Sequence, residues 1–205
     1  NVFSQYIPNQ KRVFTNITAD NLSENIQFKT LELTGNLYPF DDNKIDFELK
    51  SQNLRLQLLD KYLNGIVSGL NRGTVSGNLQ ISGKIKEPIV KGELTFNKIG
   101  VMVDYLNVDY YINGQTIGFD KNKILFKNFK VTNKKYKESE GMINGEITHD
   151  YFSNFGFKIN NIEFKNCIVL DTKLENNTMY HGKAFVNGKV VSEASMLAQI
   201  IKDKE

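Results

Sequence analysis

Apolar and polar side chains alternate along most of this chain with a period of two. From Gly73 to Ile85 the odd positions read Gly73, Val75, Gly77, Leu79, Ile81, Gly83 and Ile85. Thr74, Ser76, Asn78, Gln80, Ser82 and Lys84 fall between them. Successive side chains of a strand point to opposite faces, so this pattern predicts a strand with one apolar and one wet face. Val90, Leu94 and Phe96 against Lys91, Glu93 and Thr95 repeat it. So do Ile45-Phe47-Leu49, Leu54-Leu56-Leu58, Leu106-Val108-Tyr110-Ile112, Ile143-Gly145-Ile147, Phe155-Phe157-Ile159 and Gly182-Ala184-Val186-Gly188-Val190. Turn residues such as Asn113-Gly114 and Asp120-Lys121-Asn122 separate the runs. The pattern predicts an all-β chain of antiparallel strands.

Two stretches break the rule. Leu59, Tyr62, Leu63, Ile66, Val67 and Leu70 recur at helical spacing, with Gly73 as a stop, which predicts a short amphipathic helix near residues 59–68. From Ser192 on, good helix formers give a weak helical lean, although Met196, Ala198 and Ile200 also alternate. The glycines add a further signal. Gly77, Gly83, Gly92, Gly141, Gly145, Gly182 and Gly188 all fall on the apolar register, where a missing side chain weakens a strand unless the sheet bends or another backbone comes close. Ordinary bulges are one reading. The other is a sheet folded lengthwise into an apolar-lined trough, with Gly77, Gly83, Gly92, Gly145 and Gly188 at the crease. Its lining is then Val75, Leu79, Ile81, Val90, Leu94, Phe96, Ile117, Phe119, Phe126, Ile143 and Ile147.

Composition narrows the function classes. With 26 Lys+Arg against 23 Asp+Glu in 205 residues, the chain lacks the basic stripe of a nucleic-acid binder. No apolar run approaches the ~20 residues that span a bilayer, and the start has no basic region followed by an apolar one. The opening residues read as part of a longer chain. No catalytic constellation can be assembled, so no enzyme activity and no cofactor are expected. His149 and His181 read as turn-flanking residues on the polar side, and no metal site is expected. Cys167 enters an apolar run as a small buried residue. Asp41-Asp42-Asn43 lacks the spaced ligand series of a calcium loop, and Tyr105, Tyr110 and Tyr111 read as wall packing rather than a sugar platform.

The stretch from Gly73 to Gly188 resembles the C-terminal region of the TamB family of bacterial envelope proteins, relatives of the AsmA-like group. The phrases that bear the likeness are GTVSGNLQISGKIKEPIVKGELTF from Gly73, VDYLNVDYYINGQTIGFDKNKILFKNF from Val103 and GMINGEITHDYFSNFGFKI from Gly141. CIVLDT from Cys167 and YHGKAFVNGKV from Tyr180 complete the set. Residues 1–72 resemble the family less distinctly and are expected to form an upstream trough segment with the short helix. Residues 73–192 are expected to be the TamB-like trough, and 193–205 a tail of uncertain conformation. The resemblance implies a periplasmic protein whose inner-membrane anchor lies outside this chain, with a sheet folded into a greasy trough, the β-taco. It also implies phospholipid acyl chains as cargo between the two membranes, or help in outer-membrane protein assembly beside a BamA/TamA-type barrel. An unrelated closed β-sandwich, an adhesin or carbohydrate-binding module, is the remaining alternative.

Overall fold

The computed structural model describes residues 1–23, 26–56, 67–68, 73–104, 106–175, 181–191 and 195–197. Fifteen strands follow one another: β1 (Val2–Ile7), β2 (Arg12–Ser23), β3 (Ile26–Tyr38), β4 (Lys44–Arg55), β5 (Val67–Ser68), β6 (Thr74–Lys84), β7 (Glu87–Asn97), β8 (Ile99–Val103), β9 (Val108–Ile112), β10 (Gln115–Lys121), β11 (Lys123–Asn133), β12 (Glu140–Asp150), β13 (Ser153–Thr172), β14 (Gly182–Val191) and β15 (Ser195–Leu197). They form a single sheet, antiparallel throughout and unclosed, whose main path of eleven strands runs β1-β2-β3-β4-β6-β7-β10-β11-β12-β13-β14, with β15 paired to β13 and β5, β8 and β9 joined in a branch that pairs through β9 with β11. This is an elongated, β-taco-like all-β fold. Apart from a 3-10 turn at Pro8–Gln10 and a single 3-10 residue at Leu56, no helix occurs among the described residues.

The helix expected near residues 59–68 lies outside the described residues except at its end, where Val67 and Ser68 form β5 and pair with Val103 and Met102. The helical lean of the tail is corrected where the tail is described. Ser195, Met196 and Leu197 pair with Lys158, Phe157 and Gly156. A free strand edge on β13 offers these residues backbone partners, and that tertiary context outweighs a weak helical propensity.

The two long sides of the sheet differ. One side is a row of short turns: Lys11, residues 39–43, 85–86, Asn122 and 151–152. On the opposite side the chain makes an excursion between β7 and β10, the β8–β9 hairpin. There Leu56, Val75 and Ile99 are buried, with Leu54, Leu94, Phe96, Val101 and Ile112 packed against them. The hairpin also reaches β13. The Asp171 N–H donates to the Leu106 carbonyl at 3.0 Å, and the Tyr110 hydroxyl donates to the Ile168 carbonyl at 2.9 Å. Val108, Cys167 and Ile168 are buried around this junction. Burial pushes the Tyr110 hydroxyl up to about 12, with the neighbouring Cys167 a smaller cause. Lys135 and Tyr136 both donate to the Asp171 carboxylate, at 2.6 and 3.1 Å. Its pKa lies below the usual value chiefly through the Lys135 bond, with a smaller push upward from burial and further lowering by Tyr136. The hairpin side is therefore closed by packing, and the turn side is not.

Candidate functional site

Directly opposed residues of antiparallel strands share a face, so the registers trace which side chains form one continuous surface. One row runs Val2, Ile17, Leu33, Leu49, Leu79, Gly92, Phe119, Ile124, Ile147 and Phe157. At about 4.8 Å per strand it extends some ~43 Å. The next row runs Leu31, Ser51, Gly77, Leu94, Ile117, Phe126, Gly145 and Ile159. Val75 with Phe96, Ile81 with Val90, and Ile143 with Phe129 and Ile162 stand in flanking rows of the same face. Every residue assigned to the lining from the alternation thus lies on one apolar face.

The face is covered where the β8–β9 hairpin packs on Val75, Leu94 and Phe96, and Val75, Val90 and Phe129 are buried; over the rest of it no second layer lies among the described residues. Leu79, Ile81, Ile117, Phe119, Phe126, Ile143 and Ile147 stay half-buried, where the centre of a sandwich would be sealed. Its few polar members are neutralised. Ser51 is buried and donates its proton to the Val75 carbonyl at 2.8 Å, which uses its one donor within the sheet. Lys121, at the turn end of β10 opposite Val90, is the one formally charged residue in the aligned apolar positions from Val13 to Val190. The other face bears the charges, joined across strands by Lys123–Glu146 at 3.0 Å, Lys130–Glu140 at 2.6 Å and Lys189–Glu163 at 2.8 Å. Such exposed pairs contribute little to stability, but they mark that face as the hydrated one.

The glycines are staggered rather than strung on one line. Gly77 and Gly145 share a row, whereas Gly83, Gly92 and Gly188 stand opposite Pro88, Phe119 and Phe164 in others. At Gly77 and Gly92 the backbone has φ of +151° and +129°, and an added Cβ would overlap the carbonyl oxygens of Glu93 and Asn78. At Gly145 it would lie 2.5 Å from the Lys158 carbonyl oxygen. Gly77, Gly92 and Gly145 each let a neighbouring strand come closer than any side chain allows, so the sheet can bend there, whereas a Cβ added at Gly188 would meet nothing within 4 Å, so no close approach places that glycine at a crease.

His149 departs from its expected place on the polar side. It is 2% exposed, its ring stacks on Phe152 at 4.3 Å, and its Nδ1 accepts the Phe152 N–H at 3.1 Å. The register irregularity between Thr148 and Asp150 turns the ring inward, which no local pattern announces. Burial lowers the His149 pKa from 6.5, and the nearby Asp150 only partly opposes this. The sign follows from linkage. The unfolded chain binds the proton more readily, so this stabilisation is complete above about pH 6.5 and is lost as the pH falls through the lowered folded value. The expected result is a urea midpoint that drops between pH 7.5 and pH 5, with His149→Phe flattening the decline. An unchanged slope in that variant would remove His149 from the account.

His181 is exposed, Cys167 is 2% exposed and unpaired, and Tyr105 lies outside the described residues. No group of three or more metal-ligating side chains occurs among the described residues. None of their helices is long and apolar enough to cross a membrane.

A family model, that of the TamB C-terminal domain, matches residues 20–108. No curated protein and no solved structure matches the chain. The matched segment begins upstream of the stretch in which the sequence phrases suggested the likeness. It takes in residues 20–72, where the likeness was less distinct, and stops before the phrases at Gly141, Cys167 and Tyr180. The structure joins both parts in one sheet, since β4 pairs with β6 from Lys44 to Ser51 and, after a register shift, at Leu54 and Arg55.

Proposed function

We propose, from the premise that this chain belongs to the TamB family and is an envelope-associated protein, that it is a trough for phospholipid acyl chains in the periplasm, connecting inner and outer membranes. The observation that supports this most directly is the apolar face, continuous across the paired strands, uncovered away from the β8–β9 hairpin among the described residues and carrying one charge at its rim. Acyl chains laid on it leave water at about 0.8 kcal/mol per buried CH₂ group. Half-buried hydrocarbon without polar traps gives a chain no fixed resting place, which suits movement along the sheet better than storage. Packing along the β8–β9 side and short turns along the other leave headgroups a wet exit on the turn side. The proposed role requires no catalytic group, metal or cofactor.

The test is extraction of the purified chain with organic solvent, followed by mass analysis for co-purified phospholipid. Photo-crosslinking groups placed at Leu79 and Phe119 are expected to capture lipid, and one at the outward, exposed Gln80 to capture none. Equal capture at all three positions would defeat the reading.

One observation favours a second role in assembly. Among the described residues β1 (VFSQYI) is an edge strand with no charge and no proline, and Val2, Phe3 and Tyr6 are exposed. The opposite edge, β14, carries Lys183 and Lys189, charges of the kind that guard an edge. An unguarded edge can add a strand from another protein, such as an outer-membrane barrel. Absence of lipid, together with binding of an extended peptide of alternating apolar residues, would select this role.

A further inference from the structure

On the turn side of the sheet, Pro88, Ile89, Lys121, Asn122, His149, Asp150 and Tyr151 line a cleft of about 260 Å³. It lies where the apolar face ends. Lys121 stands opposite Val90 and two residues beyond Phe119, roughly 7 Å along the strand. Lys121 and Asp150 are of opposite charge, and neither joins an ion pair among the described residues. The cleft therefore presents a cation and an anion without ionic partners among the described residues, the Asp150 carboxylate accepting only a long bond from the Asn154 amide at 3.4 Å. Its third polar group is held in place at a conformational cost. Tyr151 and Phe152 form a two-residue turn with φ of 50° and 66°, a conformation that bulky side chains rarely adopt. The stacking of Phe152 on His149 and the bond from its N–H to Nδ1 hold that turn, leaving Tyr151 half exposed at the cleft.

We propose that this cleft receives the headgroup of a phospholipid bearing both a phosphate and a primary ammonium. Lys121, the Asn122 amide and the Tyr151 hydroxyl face the phosphate, and the Asp150 carboxylate faces the ammonium. The inference rests on the trough reading, because the tails of such a lipid lie on Val90, Phe119 and Ile147. A phosphate alone would use Lys121 and be repelled by Asp150, so the pairing of charges selects the zwitterionic headgroup over an anionic one.

The experiment incubates the purified chain with vesicles containing phosphatidylethanolamine, phosphatidylglycerol and diacylglycerol in equal parts, re-isolates it and quantifies the retained lipid. Wild type is expected to retain phosphatidylethanolamine over phosphatidylglycerol by roughly five-fold, the scale of one exposed charge contact. Asp150→Lys should invert that ratio. Lys121→Gln should lower both phospholipids relative to diacylglycerol. Lys121, Asn122, Asp150 and Tyr151 are all solvent-exposed, so the variants are expected to keep the wild-type melting temperature and strand spectrum. Retention of lipid without headgroup preference, or with a preference both variants leave unchanged, would overturn the headgroup site and leave the trough standing. Retention of no lipid at all, diacylglycerol included, would remove the trough and this site with it.

Discussion

Gly77→Val and Gly145→Val are expected to destabilise the chain by about 3 to 5 kcal/mol each, lowering the melting temperature by roughly 10 °C. Two effects combine at Gly77. Its φ of +151° suits glycine rather than a β-branched residue, and a Cβ there would overlap the Glu93 carbonyl oxygen of the neighbouring strand. At Gly145 the conflict is steric, with the Lys158 oxygen 2.5 Å from the added carbon and the Ile159 Cα at 3.0 Å. Backbone cannot yield as the end of a flexible side chain does, so relief requires the strands to separate. Asn78→Val is the matched control, since Asn78 is exposed on the hydrated face and Val favours strands. It is expected to shift stability by no more than ~0.5 kcal/mol. Asn144, although it also alternates outward, is not an inert control. It accepts the Asn128 N–H at 2.7 Å and donates to Asn161 at 2.9 Å. Thermal melts of the three variants decide the matter, and equal shifts at Gly77, Gly145 and Asn78 would refute the close approach of strands.

Phe119→Asp is expected to leave a folded protein that no longer holds lipid, with the extractable lipid falling by more than about ten-fold. Phe119 is half-buried in the middle of the apolar face, opposite Gly92 and Ile124. A carboxylate there stays partly hydrated in the free protein, but an acyl chain laid across it would strip that water away. Gln80→Asp, on the hydrated face opposite Lys91, is expected to behave as wild type. Leu94 is a poorer probe, because it packs against the Leu56, Val75 and Ile99 cluster, where a charge would unfold the junction instead of blocking the face. Phe126 makes an edge-to-face contact with the buried Phe129 at 5.4 Å, and Thr95 shares a hydroxyl bond with Thr116 at 2.9 Å, so neither is a clean site. Lipid content and lipid transfer between vesicles are the measurements. Unfolding of Phe119→Asp would point to a sealed core, and undiminished lipid in a folded variant would mean that the lipid does not lie on this face.

The alternation from Gly73 to Ile85, and its repeats through Val190, determined the strands and which face of each is apolar. A strand's two faces are set by neighbours in sequence, so a local pattern is enough, and the antiparallel registers then add those faces into one surface. The same local logic located the inward glycines. It was silent on why Gly77 is needed, because the obstructing atom belongs to Glu93, a residue on the next strand. It placed His149 on the polar side, because the shift of register between Thr148 and Asp150 and the stacking on Phe152 arise only when β12 turns into β13. The strand at Ser195–Leu197 escaped it for a related reason, since weak helical propensity yields once β13 offers a free edge. The same holds for the packed side and the open side of the trough. Leu54 and Val75 announce their burial as apolar residues on alternating strands, but only the β8–β9 hairpin, folded against β6 and reaching across to β13, decides which long side is closed. Those contacts join residues up to 64 positions apart, such as Asn107 and Asp171. A period of two has no reach over such a distance, and the direction in which the trough opens is therefore a property of the tertiary structure alone.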